Sequence, residues 1–77
     1  MNKARRKALR GVVDAIMDAR ATLGPLTDEE TEYRDNMPEN LQGSEKAERA
    51  DESASALENA LDSLDDAVEQ IEIAIGD

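Results

Sequence analysis

The feature that most constrains the fold is a regular apolar pattern in the C-terminal half of the chain. Four heptads of alternating three- and four-residue spacing, flanked by acidic residues, predict one helix of about 45 Å with a narrow apolar stripe. Such a stripe has to be covered by another helix. The residues that form it are Ala47, Ala50, Ala54, Leu57, Leu61, Leu64, Val68, Ile71 and Ile75.

The N-terminal part of the chain repeats this spacing. Leu9, Val12, Ile16, Ala19 and Leu23 predict a second helix over about residues 3–23. The Gly-Pro pair at 24–25 is predicted to end it, since glycine suits the left-handed position after a helix and proline cannot continue one.

A short helix is predicted next, over about residues 28–35. Thr27 and Glu30 have the spacing of a capping box, in which the threonine oxygen accepts a hydrogen bond from the backbone N–H of Glu30. Asn-Met-Pro at 36–38 ends this helix, because the residue before a proline is pushed out of the helical conformation. Residues 38–42 suit one further turn. Gly43 and Ser44 then predict the cap at which the long helix, residues 45–75, begins.

Charged flanks predict that the two long helices pair antiparallel. The long stripe has acidic residues on one side and small residues on the other, at Asp51, Glu58, Asp65 and Glu72 and at Ala60, Ala67 and Ala74. The first helix has Arg6, Val13 and Arg20 on one side and Ala8 and Ala15 on the other. Like flanks face each other in an antiparallel pair, so arginine meets carboxylate along one edge. The predicted fold class is all-α: an antiparallel helical hairpin or coiled coil in a single domain, residues 1–77.

Small size and leftover apolar residues predict a homo-oligomeric bundle. A chain of 77 residues without Phe, Trp or Cys buries a small core and forms no disulfide. Val13, Met17 and Ile73 lie outside the predicted stripes, and the alternative is that the short helix covers them within one chain. The expected core and oligomer contacts are Leu9, Val12, Val13, Ile16, Met17, Leu57, Leu61, Leu64, Val68, Ile71 and Ile75.

No residue pattern indicates catalysis. Without His or Cys the chain lacks imidazole and thiolate ligands for zinc, copper or haem, and its serines lack a histidine base. Asp62, Asp65, Asp66 and Glu69 crowd two turns but do not have the spacing of an EF-hand loop, and there is no glycine-rich phosphate loop. We therefore expect a non-enzyme without a metal or other cofactor.

The net charge of −10 is concentrated on the long helix. Its outer side is predicted to carry a row of exposed carboxylates that we call the acidic face: Glu45, Glu48, Glu52, Asp62, Asp66 and Glu69. These charges step by about 5 Å along the axis, not far from the spacing of nucleic-acid phosphates, so the row suits a basic cleft. The alternative is that it only keeps a coiled coil in solution.

A basic segment at the start of the chain contrasts with this acidity. Lys3, Arg5, Arg6, Lys7 and Arg10 suit a small anionic ligand such as a nucleotide where oligomer subunits meet, whereas the overall charge argues against direct nucleic-acid or membrane binding. No apolar run reaches membrane-spanning length and no signal-peptide core is present, so we expect a cytoplasmic protein.

The connection between the helices carries a family resemblance. Residues 33–45 read Tyr-Arg-Asp-Asn-Met-Pro-Glu-Asn-Leu-Gln-Gly-Ser-Glu, between a basic first helix and an acidic Ala/Leu helix. Over most of its length the chain resembles small uncharacterised acidic helical proteins of phages and prophages of Gram-positive bacteria, and the Asn-Met-Pro-Glu-Asn-Leu-Gln connection is the distinctive part. The resemblance implies a viral or mobile-element origin, and no particular activity.

Charge, size and this resemblance favour an interaction protein of the host bacterial cytoplasm. It is expected to bind and block a host nucleic-acid-handling or defence protein, as an anti-defence or anti-CRISPR-like inhibitor. The acidic face is the expected contact; Tyr33, Arg34 and Met37 either add a second surface or only close the hairpin. Two other classes stay open: a self-assembling structural coiled-coil module, and an oligomeric sponge for a small anionic ligand.

Overall fold

Two long antiparallel helices make up almost all of the computed structural model, which describes residues 1–76. Helix α1 spans Lys3–Asp35 and helix α2 spans Glu45–Ile75, with a 3-10 turn at Glu39–Leu41 between them. The helices pack along their length into a rod with extents of 59 × 16 × 15 Å. The predicted all-α antiparallel hairpin is confirmed, and α2 has its predicted bounds.

The interruption predicted within the first helix is wrong. Helix α1 continues through Gly24 and Pro25 to Asp35, so the predicted helices at 3–23 and 28–35 are one element. Pro25 cannot donate a hydrogen bond to the carbonyl of Ala21, and a proline inside a helix costs about 3 kcal/mol. Its ring lies on the exposed side of α1, while Leu23 and Thr27 are partly or fully buried on either side of it. Packing on α2 therefore continues across the proline and offsets this cost.

Thr27 does not cap a helix, so the predicted capping box is also wrong. Its side chain is only 3% exposed, and Oγ1 donates a hydrogen bond to the carbonyl of Leu23 at 2.8 Å. A hydroxyl that bonds to the preceding turn is satisfied inside the helix. A polar residue can therefore occupy this buried position at little cost.

The connection folds as the sequence predicts. Gly43 has a φ of +79°, in the left-handed region that glycine adopts without strain. Ser44 then caps α2: its Oγ accepts from the backbone N–H of Ala47 at 3.2 Å and donates to the carbonyl of Leu41 at 2.5 Å. Met37 is buried at this end of the rod, and its carbonyl accepts from Nε2 of Gln42 at 3.2 Å.

The stripe of α2 is confirmed, whereas that of α1 is displaced. All nine stripe residues of α2 are buried or half-buried. On α1, Leu9, Ile16 and Leu23 are half-buried as predicted, but Val13 is 7% exposed and Val12 is 45% exposed. The side of α1 that meets α2 therefore runs through Val13, and the predicted stripe positions Val12 and Ala19 lie outside it.

A column of residues at seven-residue intervals replaces those two positions. This facing column consists of Arg6, Val13, Arg20, Thr27 and Arg34. Together with Leu9, Ile16, Leu23, Glu30 and Met37 it gives unbroken three–four spacing from residue 6 to residue 37. Arginine can occupy such positions because its apolar stem covers the neighbouring helix while the guanidinium reaches water. A search for apolar residues alone misses the column, because most of its members are polar.

Gly24→Ala tests the continuity of α1. It should raise the free energy of unfolding by about 1 kcal/mol, the cost of glycine relative to alanine inside a helix, since an added Cβ meets no atom within 4 Å. Gly43→Ala, at a φ of +79°, should lower it by about 1 kcal/mol because the left-handed conformation strains an L-residue. Urea denaturation at one protein concentration measures both. A loss of stability at Gly24 would show that the helix ends there.

Thr27→Val separates a buried position from a capping position. Valine keeps the shape and removes only a satisfied hydroxyl, so the free energy of unfolding should stay within about 0.5 kcal/mol or rise, whereas loss of an N-cap costs about 1 kcal/mol. The matched control, Thr27→Ser, keeps the hydroxyl and removes a buried methyl group, with an expected loss of about 1 kcal/mol. The reverse order of the two variants in thermal and urea denaturation would favour the capping role.

Candidate interaction surfaces

One edge of the rod is formed by arginine–carboxylate pairs. Nε and Nη2 of Arg20 donate to the two carboxylate oxygens of Asp65 at 2.5 and 3.1 Å, which is a bidentate pair. Nη1 of Arg34 donates to Asp51 at 3.4 Å, and its Nε donates to Asp35 at 3.1 Å. The predicted meeting of arginine and carboxylate is confirmed at Arg20 and Asp65, and Arg34 extends it toward the connection.

These pairs define one register along the rod. Arg20 and Arg34 are two heptads apart on α1, as Asp65 and Asp51 are on α2, so both pairs fit the same alignment. One more step of two heptads brings Arg6 to the end of α2, where its Nε donates to the carbonyl of Ile75 at 3.1 Å. A cation at this place also complements the negative end of the helix dipole.

Hydrogen bonds and nearby carboxylates hold the paired arginines in their charged form. The hydrogen bond to Asp65, followed by the charge of that carboxylate, raises the pKa of Arg20. The hydrogen bond to Asp35 is the main cause that raises the pKa of Arg34, with smaller contributions from the charges of Asp51 and Glu58. These guanidinium groups are thus committed to the hairpin.

The acidic face lies where the sequence predicts it, on the outer side of α2. All six of its carboxylates are exposed, and within residues 1–76 none of them has an ion-pair partner. They form two groups of three, residues 45–52 and 62–69, separated by the uncharged Ser55 and Asn59. Each group spans about 10 Å and the group centres are about 25 Å apart along the helix. The face is available to a partner with two basic patches at that separation.

Tyr33, Arg34 and Met37 are not brought together on one surface. Tyr33 is half-exposed and borders a shallow groove with Pro38 and Lys46. Arg34 lies on the other edge, in a groove with Gln42 and Asp51, and Met37 is only 8% exposed. Of the three, Tyr33 is the one that offers an exposed apolar surface; Arg34 and Met37 hold the end of the hairpin together.

The edge opposite the arginine–carboxylate pairs has two rows of residues without Asp or Glu. We call it the neutral edge: Val12, Ala19, Leu26 and Tyr33 on α1, with Ser53, Ala60, Ala67 and Ala74 on α2. Both sets recur every seven residues, and Tyr33 and Ser53 border one groove, which places the two sets on the same side. Val12, Leu26 and Tyr33 are about half exposed. The apolar α1 residues of this edge are the most regular exposed apolar row of the molecule, and sequence reasoning had placed Val12 and Ala19 inside the hairpin.

The remaining predicted contact residues divide between the interior and the surface. Val13 lies within the hairpin, as do Leu57, Leu61, Leu64, Val68, Ile71 and Ile75. Met17 and Ile73 are both exposed, away from the neutral edge. In the basic segment, Arg6 is bound to the end of α2, and Arg10 borders a groove with Asp14 and Glu72, so the surroundings of this segment carry both signs of charge.

The described residues hold no cluster of metal-binding type. Within residues 1–76 no three carboxylates converge in a way that would hold a metal ion. Within residues 1–76, no helix is both long enough and apolar enough to cross a membrane.

Comparison with protein families, with characterised proteins and with solved structures gives no match for this chain. Its surfaces are therefore the basis on which a function can be proposed.

Asp65→Arg tests the register of the hairpin. It places a cation opposite Arg20 and should lower the free energy of unfolding by about 0.5–1 kcal/mol, the range of an exposed ion pair with good geometry. Adding Arg20→Asp should restore most of this loss, because the pair is re-formed with exchanged charges. The control Asp66→Arg makes the same charge change one residue away, on the outer side, and should have a smaller effect. In 1 M salt, where the Debye length is about 3 Å, the differences should shrink; a double variant no more stable than Asp65→Arg alone would contradict the pairing.

Proposed function

We propose that this protein is a non-enzymatic binding protein whose acidic face occupies the basic, nucleic-acid-binding surface of another protein. The observation that supports it is the difference between two sets of carboxylates on α2. Asp51 and Asp65 are paired with arginines of α1, whereas the six of the acidic face are exposed without an ion-pair partner in residues 1–76. The second set makes no ion pair between the two helices within these residues.

The spacing within each group of three suits a partner that binds phosphates. Three charges over about 10 Å of helix are about 5 Å apart, which is of the same order as the axial spacing of about 3.4 Å between successive phosphates on one strand. Over its whole length the face carries far fewer charges than a duplex, so the imitation is local. The fitting partner has two basic patches about 25 Å apart.

Competitive occlusion is the corresponding mechanism. A net charge of −10 accelerates encounter with a basic surface through long-range attraction. Once bound, the rod excludes nucleic acid from the same surface without any chemical step. With the resemblance to phage and prophage proteins, this favours a host nucleic-acid-handling or defence protein as the partner, in the bacterial cytoplasm.

Neutralising one group of the acidic face tests the proposal. Asp62→Asn, Asp66→Asn and Glu69→Gln, combined, should abolish capture of basic nucleic-acid-binding proteins from a bacterial lysate on the immobilised protein. The matched control Asp18→Asn, Asp28→Asn and Glu32→Gln removes the same charge from exposed positions of α1 and should capture as the unchanged chain does. Added duplex DNA should release the captured proteins, since it competes for the same surface.

Two outcomes would contradict this function. The first is capture of the same proteins by the variant of the acidic face, because the face would then not be the contact. The second is capture that added DNA does not reverse, because the contact would then lie outside the partner's nucleic-acid-binding surface.

A structural self-assembling module is the second candidate, and the neutral edge is the observation that favours it. Substitution of Leu61, a half-buried stripe residue of α2, cannot test it cleanly, because such a change also destabilises the hairpin itself. Assembly has to be tested at exposed positions. The two candidates are separable: neutralising the acidic face should remove partner binding and leave the assembly state unchanged.

A further inference from the structure

We infer that the neutral edge is where a second copy of this chain binds, so that two hairpins form a four-helix bundle. This goes beyond the proposed function, which uses the outer side of α2 and not this flank. The inference rests on four observations: the apolar row on α1, the distribution of charge, the surface area of the single hairpin, and the sizes of the side chains on the two helices.

The apolar row on α1 is a second stripe that shares residues with the first. Leu9, Ile16 and Leu23 are only half-buried by α2. Val12, Ala19, Leu26 and Tyr33 lie beside them and continue the three–four spacing on the exposed side. A helix with two adjacent stripes of this kind is suited to contact two neighbours at once, as each helix of a four-helix bundle does.

The distribution of charge marks the same edge. Although Asp and Glu make up 19 of the 77 residues, none is among the eight residues of the neutral edge. Glu30, Lys46 and Arg49 border it at the end nearest the connection, and Ala56, Ser63 and Gln70 just outside it are uncharged. Two molecules with a net charge of −10 repel each other, and this edge is where they can approach with the least repulsion. A partner of opposite charge would be served better by the acidic side, so a second copy is the occupant that the charge favours.

The surface area of the hairpin agrees with a missing partner. A compact monomer of 8.4 kDa is expected to expose about 4,600 Å², whereas the hairpin exposes 5690 Å². The excess, about 1,000 Å², is close to the roughly 800 Å² that each partner buries in a standard protein interface. Burial of the neutral edge by a second copy would bring the chain near the compact value.

The side chains of the edge are self-complementary. Bulky residues, Val12, Leu26 and Tyr33, lie on α1, and small ones, Ala60, Ala67 and Ala74, lie on α2. A twofold axis can set α1 of one copy against α2 of the other, and the same contact then occurs twice. The alanines allow close approach of the helices and the bulky residues fill the space between them. Both acidic faces remain on the outside of the bundle.

Sedimentation equilibrium of the full chain tests this inference. The unchanged protein should have twice the mass of 8.4 kDa, and Leu26→Glu should raise the dimer Kd by about 100-fold or more, because two buried leucines are lost per dimer. Tyr33→Glu is a second variant of the edge. The matched controls Met17→Glu and Ile73→Glu add the same charge at exposed apolar residues away from it and should stay dimeric. Circular dichroism checks that each variant remains helical.

Disulfide trapping tests which helices meet. The chain has no cysteine, so Ala19→Cys and Ala67→Cys each introduce a single thiol near the middle of the rod. A mixture of the two variants should form the mixed disulfide, and neither variant should form one with itself.

Several results would overturn the inference. An unchanged protein that is monomeric at every concentration measured, or that forms an assembly larger than a dimer, excludes the proposed bundle. So does a dimer that Leu26→Glu and Tyr33→Glu leave intact, or one that Met17→Glu and Ile73→Glu disrupt equally. A disulfide between two copies of Ala19→Cys would place α1 against α1 instead. Neutralising the acidic face should leave the mass unchanged, so failure of the proposed function is distinguishable from failure of the dimer.

Discussion

The seven-residue alignment of arginine and carboxylate across the hairpin is the constraint on which the rest of the structure depends. Leu9, Ile16 and Leu23 do not choose between two orientations of α1, because they belong to both of its stripes. One orientation turns Val12 toward α2, and the other turns Val13. Only the second brings Arg20 to Asp65 and Arg34 to Asp51. Each exposed pair contributes at most about 1 kcal/mol, so this orientation also depends on the burial of Val13 and Thr27 against α2.

That choice of orientation also determines what is left exposed. Because Val13 faces α2, the row from Val12 to Tyr33 is displaced to the surface, and it emerges on the side where α2 has its alanines. The same rotation puts Arg20 and Arg34 against carboxylates of α2, whereas the stripe of α2 itself places the acidic face on the outer side. The orientation of α1 therefore gives the molecule its paired edge and its neutral edge.

The sequence predicts α2 and the connection well, and it fails in α1 for a physical reason. A stripe of nine apolar residues, a serine cap and a glycine beyond each end, Gly43 and Gly76, all favour the same helix, and the structure has it at Glu45–Ile75. At Gly24 and Pro25 the local preference opposes the packing, and the packing prevails because Leu23 and Thr27 lie against α2 on both sides of the proline. The preferences of glycine and proline describe a helix in isolation, whereas here packing against α2 supplies the free energy that keeps α1 helical across Pro25. The usable signal was the match between Arg20 and Arg34, which are 14 residues apart on α1, and Asp65 and Asp51, which have the same interval on α2.

The candidate surfaces likewise include features that the sequence predicts and features that depend on the orientation of α1. Exposure of the acidic face could be predicted, because its residues lie opposite a stripe that has to be buried. The separation of Tyr33 from Arg34 could not be predicted. It depends on which of these two adjacent residues faces Asp51, and the orientation of the whole helix α1 decides this. Met37 belongs to the interior for the same reason: it continues the three–four spacing of α1 past the last turn.

In the proposed bundle the electrostatic cost of joining two acidic chains is small, and this follows from the dimensions of the rod. Each hairpin is 15–16 Å across, so the acidic faces on opposite sides of a pair are separated by more than the Debye length of about 8 Å at physiological ionic strength. Screening removes most of the repulsion between them, while the contact itself contains no acid. Two identical faces on one particle also bind a partner with repeated basic sites more tightly than either face alone, since the second contact is intramolecular. Self-association and binding through the acidic face are thus compatible, because they use different sides of the hairpin.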